Sequence, residues 1–211
     1  MAKVHPFSSS SNIDSSPSSS PCSNNYITSK RETLTVWMKS LVMQGNGCTA
    51  YNDKGEIIYR VDNYDKKNSD EVYLMDLQGK VLFTILRKKM WAFRRWEGYR
   101  SNSLDSNGDN KPLFQVRKSC SFLRKDLCCK VLFIQSENVQ ESWYKLEGSA
   151  GKSALKIKDN HGRLVAEAKR KQSSSGVVLG DDVLNLEMEI GVDQSLVMAL
   201  LTVYGLMRYK M

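Results

Sequence analysis

"DQSLVMALLTVYGLMRYKM", residues 193–211, reads as a helix that has no polar side. Asp193 suits an N-cap, and Arg208 and Lys210 place positive charge where the helix dipole is negative, so the spacing predicts a helix over about 193–209. Around the wheel, Leu196, Leu200, Val203 and Met207 make one stripe, Val197, Leu201 and Tyr204 a second, and Ala199 with Leu206 a third. A helix apolar on every side must be surrounded, by protein or by lipid. Its apolar run, Leu196 to Met207, falls short of the roughly 20 residues that cross a bilayer, so no transmembrane span is expected and the wrapper has to come from the same chain.

Upstream of this segment the dominant signal is alternation. "EIIYRVD" (56–62) puts Ile57, Tyr59 and Val61 on one face, and "LNLEMEI" (184–190) sets Leu184, Leu186, Met188 and Ile190 against Asn185, Glu187 and Glu189. Similar runs occur at 33–38, 49–52, 71–76, 81–87, 90–96, 113–118, 129–135, 142–148, 154–159 and 163–169. About a dozen half-buried strands result. Between some of them "YNDKGEIIY", "LMDLQGKVLF" and "IKDNHGRLVA" repeat an Asp followed by Gly55, Gly79 or Gly162, which is hairpin chemistry. The expected fold is therefore mainly β, an antiparallel closed barrel of about twelve strands whose inward faces enclose the C-terminal helix and whose closure leaves no exposed edge. Each large side chain so enclosed contributes about 1.5–3 kcal/mol, and loss of the last turns should unfold the domain.

The chain has 211 residues, a formal charge of +8 and 41% hydrophobic residues, which fits one globular domain with an appendage. The appendage is the Ser, Asn and Pro-rich stretch 1–30, read as a disordered tail preceding a domain over 31–211. It lacks the apolar core of a secretory signal. Five irregularly spaced cysteines point to a reduced intracellular compartment, and Cys128 and Cys129 are adjacent while His5 and His161 lie far apart, so no metal site is expected. No Ser-His-Asp or Cys-His pairing, Walker motif or dinucleotide-binding Gly motif stands out, so the expectation is a protein that is not an enzyme and needs no cofactor.

"LTVWMKSLVMQGNGCTAYNDKGEIIYRVDNY" (34–64), "VYLMDLQGKVLFTILRKKMWAFRRWEGY" (72–99) and "LFQVRKS" (113–119) resemble the LURP-one-related family of plant proteins. The resemblance covers the chain after residue 30 and is looser over 120–180. It implies a Tubby C-terminal-like fold, a twelve-stranded barrel around a central hydrophobic helix shared with Tubby proteins and phospholipid scramblases, and a role in plant defence signalling.

What remains for function is basic charge. "RKKMWAFRRWEGYR" sets Arg87, Lys88, Lys89, Arg94 and Arg95 beside Trp91 and Trp96, and "AEAKRK" adds Lys169, Arg170 and Lys171. Such residues suit acidic phospholipid or phosphoinositide headgroups, the leading expectation, with a cytoplasmic location, peripheral at the inner face of the plasma membrane. The competing readings are a solvated strand face, a nucleic-acid binder or membrane-tethered transcription regulator with access to the nucleus, and a scaffold for an unidentified protein partner. Nucleic acid ranks lower because the one confident helix is expected to be buried.

Overall fold

The computed structural model describes residues 26–38, 47–62, 70–90, 93–101, 111–119, 127–134, 143–149, 154–173, 175–180 and 182–208. Among them are twelve strands: β1 (Glu32–Trp37), β2 (Gly47–Tyr51), β3 (Ile57–Asp62), β4 (Glu71–Asp76), β5 (Val81–Met90), β6 (Phe93–Arg100), β7 (Phe114–Lys118), β8 (Leu127–Phe133), β9 (Trp143–Ser149), β10 (Ala154–Lys158), β11 (Leu164–Arg170) and β12 (Val183–Met188). They pair antiparallel, each with its sequence neighbours, and β1 pairs with β12 from Glu32↔Met188 to Trp37↔Val183, which closes the barrel. One helix, α1 (Gln194–Arg208), follows the last strand.

The helix lies inside. Ser195 and every residue from Val197 to Gly205 is buried, and Met198, Leu200 and Leu201 pack into one cluster with Leu34, Phe83, Phe114, Val131 and Leu186 from the walls. The even apolar distribution around α1 thus meets wall side chains on all sides. Thr202, in its buried middle, donates its hydroxyl back to the Met198 carbonyl at 2.8 Å and so is satisfied inside the helix. Leu196, Leu206 and Met207, expected to be enclosed, are only half-buried, because they lie at the two ends where α1 reaches the barrel mouths. Gly148 shows how close the wall comes: a Cβ there would sit 2.2 Å from the Tyr204 hydroxyl oxygen.

Because adjacent strands are antiparallel, the connections alternate between two ends. At the end holding the N-terminus of α1, three hairpins use one device. The amides of Asn52, Asp76 and Asp159 each donate to the carbonyl of the residue four later, and their side chains accept the amides of Glu56, Lys80 and Arg163 at 2.9 Å. Gly55, Gly79 and Gly162 then take positive φ near 78° to complete the reversal. In the first hairpin Asn52, not the expected Asp53, fills the accepting position, since either side-chain oxygen serves.

Two boundaries differ from the sequence reading. The run 90–96 is not one strand: β5 and β6 pair as far as Met90↔Phe93, so the alternation belongs to two strands facing each other. The body also starts before residue 31. Ile27 bridges Asp193, and Thr28 donates its hydroxyl to the Glu189 carbonyl at 2.7 Å while accepting the Val192 amide at 2.9 Å. Residues 1–25 of the expected tail, and Lys210 at the other terminus, lie outside the described residues.

Candidate functional site

The end around the start of α1 is sealed by polar contacts. The Asp193 carboxylate accepts the Ser195 amide at 2.9 Å, the Leu196 amide at 3.2 Å and the Ser195 hydroxyl at 2.6 Å, filling the N-cap role, and it pairs with Arg100. The Arg100 guanidinium also stands 4.9 Å from the centre of the Phe83 ring. Tyr59 donates to the Gln194 side chain at 3.3 Å, and its phenol is driven above the usual tyrosine range, chiefly by burial and then by the Asp193 charge. These groups lock the helix into the barrel and are used up in doing so.

The opposite end, where α1 finishes, gathers the basic residues singled out in the sequence. Strand alternation first divides them. In the β5–β6 pair, Arg87 faces Trp96 on the interior side, the side of Ile85 and Gly98, and Lys89 shares that parity, while Lys88 and Arg95 face each other on the outer wall. Trp96 is 5% exposed and holds the Arg87 guanidinium 5.8 Å from its ring centre, so it is a core residue and not a lipid contact. Trp91 and the Arg94 side chain lie outside the described residues. Arg95 pairs at 2.8 Å with Glu97, a carboxylate only 3% exposed that also accepts the Tyr99 hydroxyl at 2.7 Å. Burial first, and then that hydrogen bond, push the Tyr99 phenol up to about 12.

Lys169, Arg170 and Lys171 are on the far side, since β11 is six strands from β5 around the ring of twelve. They too alternate. Arg170 lies in register with the buried Leu184, so it sits on the interior side and half-buried; Lys169 pairs outside with Glu167 at 2.9 Å, and Lys171 donates to the Thr35 hydroxyl at 2.7 Å. The hydrogen bond to Glu167 raises the Lys169 amine above its ordinary range. The sequence clusters therefore form no single face. They do share an end: β5 and β11 both run towards the C-terminus of α1, so Arg87, Lys89, Arg170, Lys171 and Arg208 all come out at the same mouth.

Sequence reasoning missed the apolar half of that mouth. After Lys171 the chain makes a short hairpin, with Gln172 bridging Val178 and the Ser173 amide donating to the Val177 carbonyl at 2.8 Å. It leaves Val177 62%, Val178 47% and Leu179 39% exposed. Trp37, 39% exposed at the end of β1, stands beside this connection, its indole donating to Asp182 at 3.0 Å. "GVVLG" (176–180) was the available signal, three aliphatic residues between glycines with no alternation.

No group of three or more potential metal-binding side chains occurs among the described residues. Nor is any helix there long and apolar enough to cross a membrane. Cys129 is buried, its thiol 3.5 Å from the Met207 sulfur and pushed up to about 12 mainly by burial, which makes it a poor nucleophile.

The LURP-one-related family profile matches residues 32–205, the whole barrel and nearly all of the helix. The chain belongs to the LURP-one-related family. Protein LURP-one-related 11 of Arabidopsis thaliana is 42% identical over 210 residues, covering 98% of this chain and 88% of that protein. Protein LURP-one-related 4, from the same plant, is 46% identical over 187 residues, covering 88% and 83%. An X-ray structure of an Arabidopsis thaliana protein superposes with a TM-score of 0.59 at 14% identity, over 85% of this chain and 92% of the other, and shares the fold. In this LURP-one-related chain the matched span ends at residue 205, just before α1 emerges at the basic, apolar mouth.

Proposed function

We propose that this LURP-one-related protein is a non-enzymatic module that docks, mouth first, on acidic membrane lipid, including phosphoinositides, at the inner face of the plasma membrane, in plant defence signalling. One observation carries the reading: two basic groups from opposite walls and the exposed Val177, Val178, Leu179 and Trp37 come out at one end of the barrel. Basic residues beside anionic lipid contribute about 1 kcal/mol each, and small apolar tips with an indole bury themselves at the headgroup boundary. Asp70 offsets part of the gain, since it pairs with Lys89 at 2.6 Å and Arg87 at 4.0 Å, which makes the contact salt-sensitive and reversible.

Flotation with vesicles tests the proposal. Vesicles of phosphatidylcholine with phosphatidylserine or a phosphoinositide should carry the protein at low salt, and release it at high salt. Val178→Asp and Lys171→Glu should each weaken the association about fivefold or more. Equal flotation with pure phosphatidylcholine, or binding unaffected by either substitution, would reject it.

A further inference from the structure

The outer wall carries a second feature that only the register reveals. Lys88 lies opposite Arg95, Arg95 opposite Arg117, Arg117 opposite Lys130, Lys130 opposite Lys145, and Lys145 opposite Lys158. Six basic residues on six consecutive strands thus form one unbroken row, and at the usual strand spacing of about 4.8 Å it is about 24 Å long. The row faces outwards, since the wall residues between, Val116, Val131, Leu146 and Ile157, are fully buried inside. Arg117 and Lys130 are exposed at its centre.

Like charges directly opposite one another destabilise a sheet. Five such pairs in succession are therefore the reverse of what fold stability favours. Among the described residues two carboxylates temper them: Glu97 beside Arg95 at 2.8 Å, and Glu147, which takes both Lys145 and Lys158 at 2.7 Å. The far wall differs, for there Glu167 meets Lys156 and Lys169, and Glu187 meets Arg31.

We infer that this row is a binding track for the phosphodiester backbone of a single-stranded nucleic acid, read without regard to sequence. The shape of the row selects the ligand. It runs obliquely around a convex wall, from the mouth where α1 ends at Lys88 towards the other end at Lys158, so a flat bilayer touches only part of it while a flexible polyanion follows it throughout. A closed barrel has no free strand edge to pair with a peptide backbone, which removes the usual way of holding an extended acidic polypeptide. Phosphates need only the point charges and forks of Lys and Arg. Trp143, whose ring lies 5.0 Å from the Lys130 amine beside the row, adds one aromatic surface for a base. The inference is independent of the membrane reading and uses different residues.

Fluorescence anisotropy with a labelled oligothymidylate, titrated between about 50 and 200 mM salt, tests it on the full chain. Six cations against two carboxylates leave about four phosphates to neutralise, so the slope of log K against log salt should be about −3. Arg117→Gln with Lys130→Gln should halve that slope while raising the melting temperature slightly through relief of like-charge repulsion, which also shows that the variant folds. Val178→Asp should leave oligonucleotide binding unchanged. Failure to bind at low salt, a slope unaltered by the double substitution, or loss of binding with Val178→Asp instead would each overturn the track. Equal displacement by polyglutamate, at matched charge, would overturn the assignment to nucleic acid.

Discussion

Gly148→Ala is a substitution whose sign depends on where the helix lies. In the interior of a strand, Gly is normally worse than Ala by about 0.5–1 kcal/mol, so the replacement on an empty wall stabilises the sheet. Here the new Cβ would stand 2.2 Å from the Tyr204 hydroxyl oxygen and 2.4 and 2.6 Å from two ring carbons, where ordinary contacts begin beyond 3.4 Å. The ring must retreat by about an ångström within a site where Tyr204 is 3% exposed and its hydroxyl accepts from Arg208. Overpacking of this kind costs about 1–3 kcal/mol, a fall of about 2–12 °C in melting temperature for a chain of this size. Tyr204→Ala alone should cost about 3–5 kcal/mol through the cavity it leaves. In the double variant the methyl group enters that cavity, so the combined cost should fall short of the sum by about 1 kcal/mol or more. Urea unfolding of the four proteins, followed by circular dichroism, gives the cycle. A stabilising Gly148→Ala, or costs that simply add, would mean that α1 does not press on β9, and the enclosed-helix architecture would fall.

Leu200→Ala, in the fully buried middle of α1, should cost about 2–5 kcal/mol in urea unfolding, and Leu206→Ala, half-buried at the mouth, clearly less. Alkylation of the native protein with iodoacetamide, mapped by mass spectrometry, should label the half-buried Cys128 and spare Cys129. Hydrogen bonds from Lys145 and Lys158 hold the Glu147 carboxyl below the ordinary glutamate range. Because the folded state lowers this pKa, the stabilisation is present at neutral pH and is lost as the pH falls through the glutamate range. The stability gap between wild type and Glu147→Gln should therefore shrink on acidification, and a gap independent of pH would contradict the pairing.

Much of the architecture was legible because each strand carries its own two-residue period and α1 its own lack of one. Leu184, Leu186 and Met188 announce an inward face without reference to any partner, and Asp193 announces a cap. The boundary between β5 and β6 was harder, since both sides of a tight hairpin alternate and Met90 continues into Phe93 without a break in pattern. Trp96 was misjudged for a related reason: among arginines it looked amphipathic, but its parity along β6 places it inside. The basic row was not legible at all. Its members are scattered from residue 88 to residue 158, and they align only through pairings set by the lengths of the hairpins between successive strands. Sequence fixes which side of a strand a lysine takes far more readily than which neighbour it will meet.

Chain order gives the enclosed helix a consequence for synthesis. All twelve strands leave the ribosome before the element that fills them, so the container is made ahead of its contents. Until α1 arrives, apolar inner faces such as those of Phe83, Phe114 and Val131 have nothing to close upon. A nascent chain interrupted before the helix is therefore left with an oily interior on display, and quality-control machinery that recognises exposed apolar surface can sort finished molecules from unfinished ones.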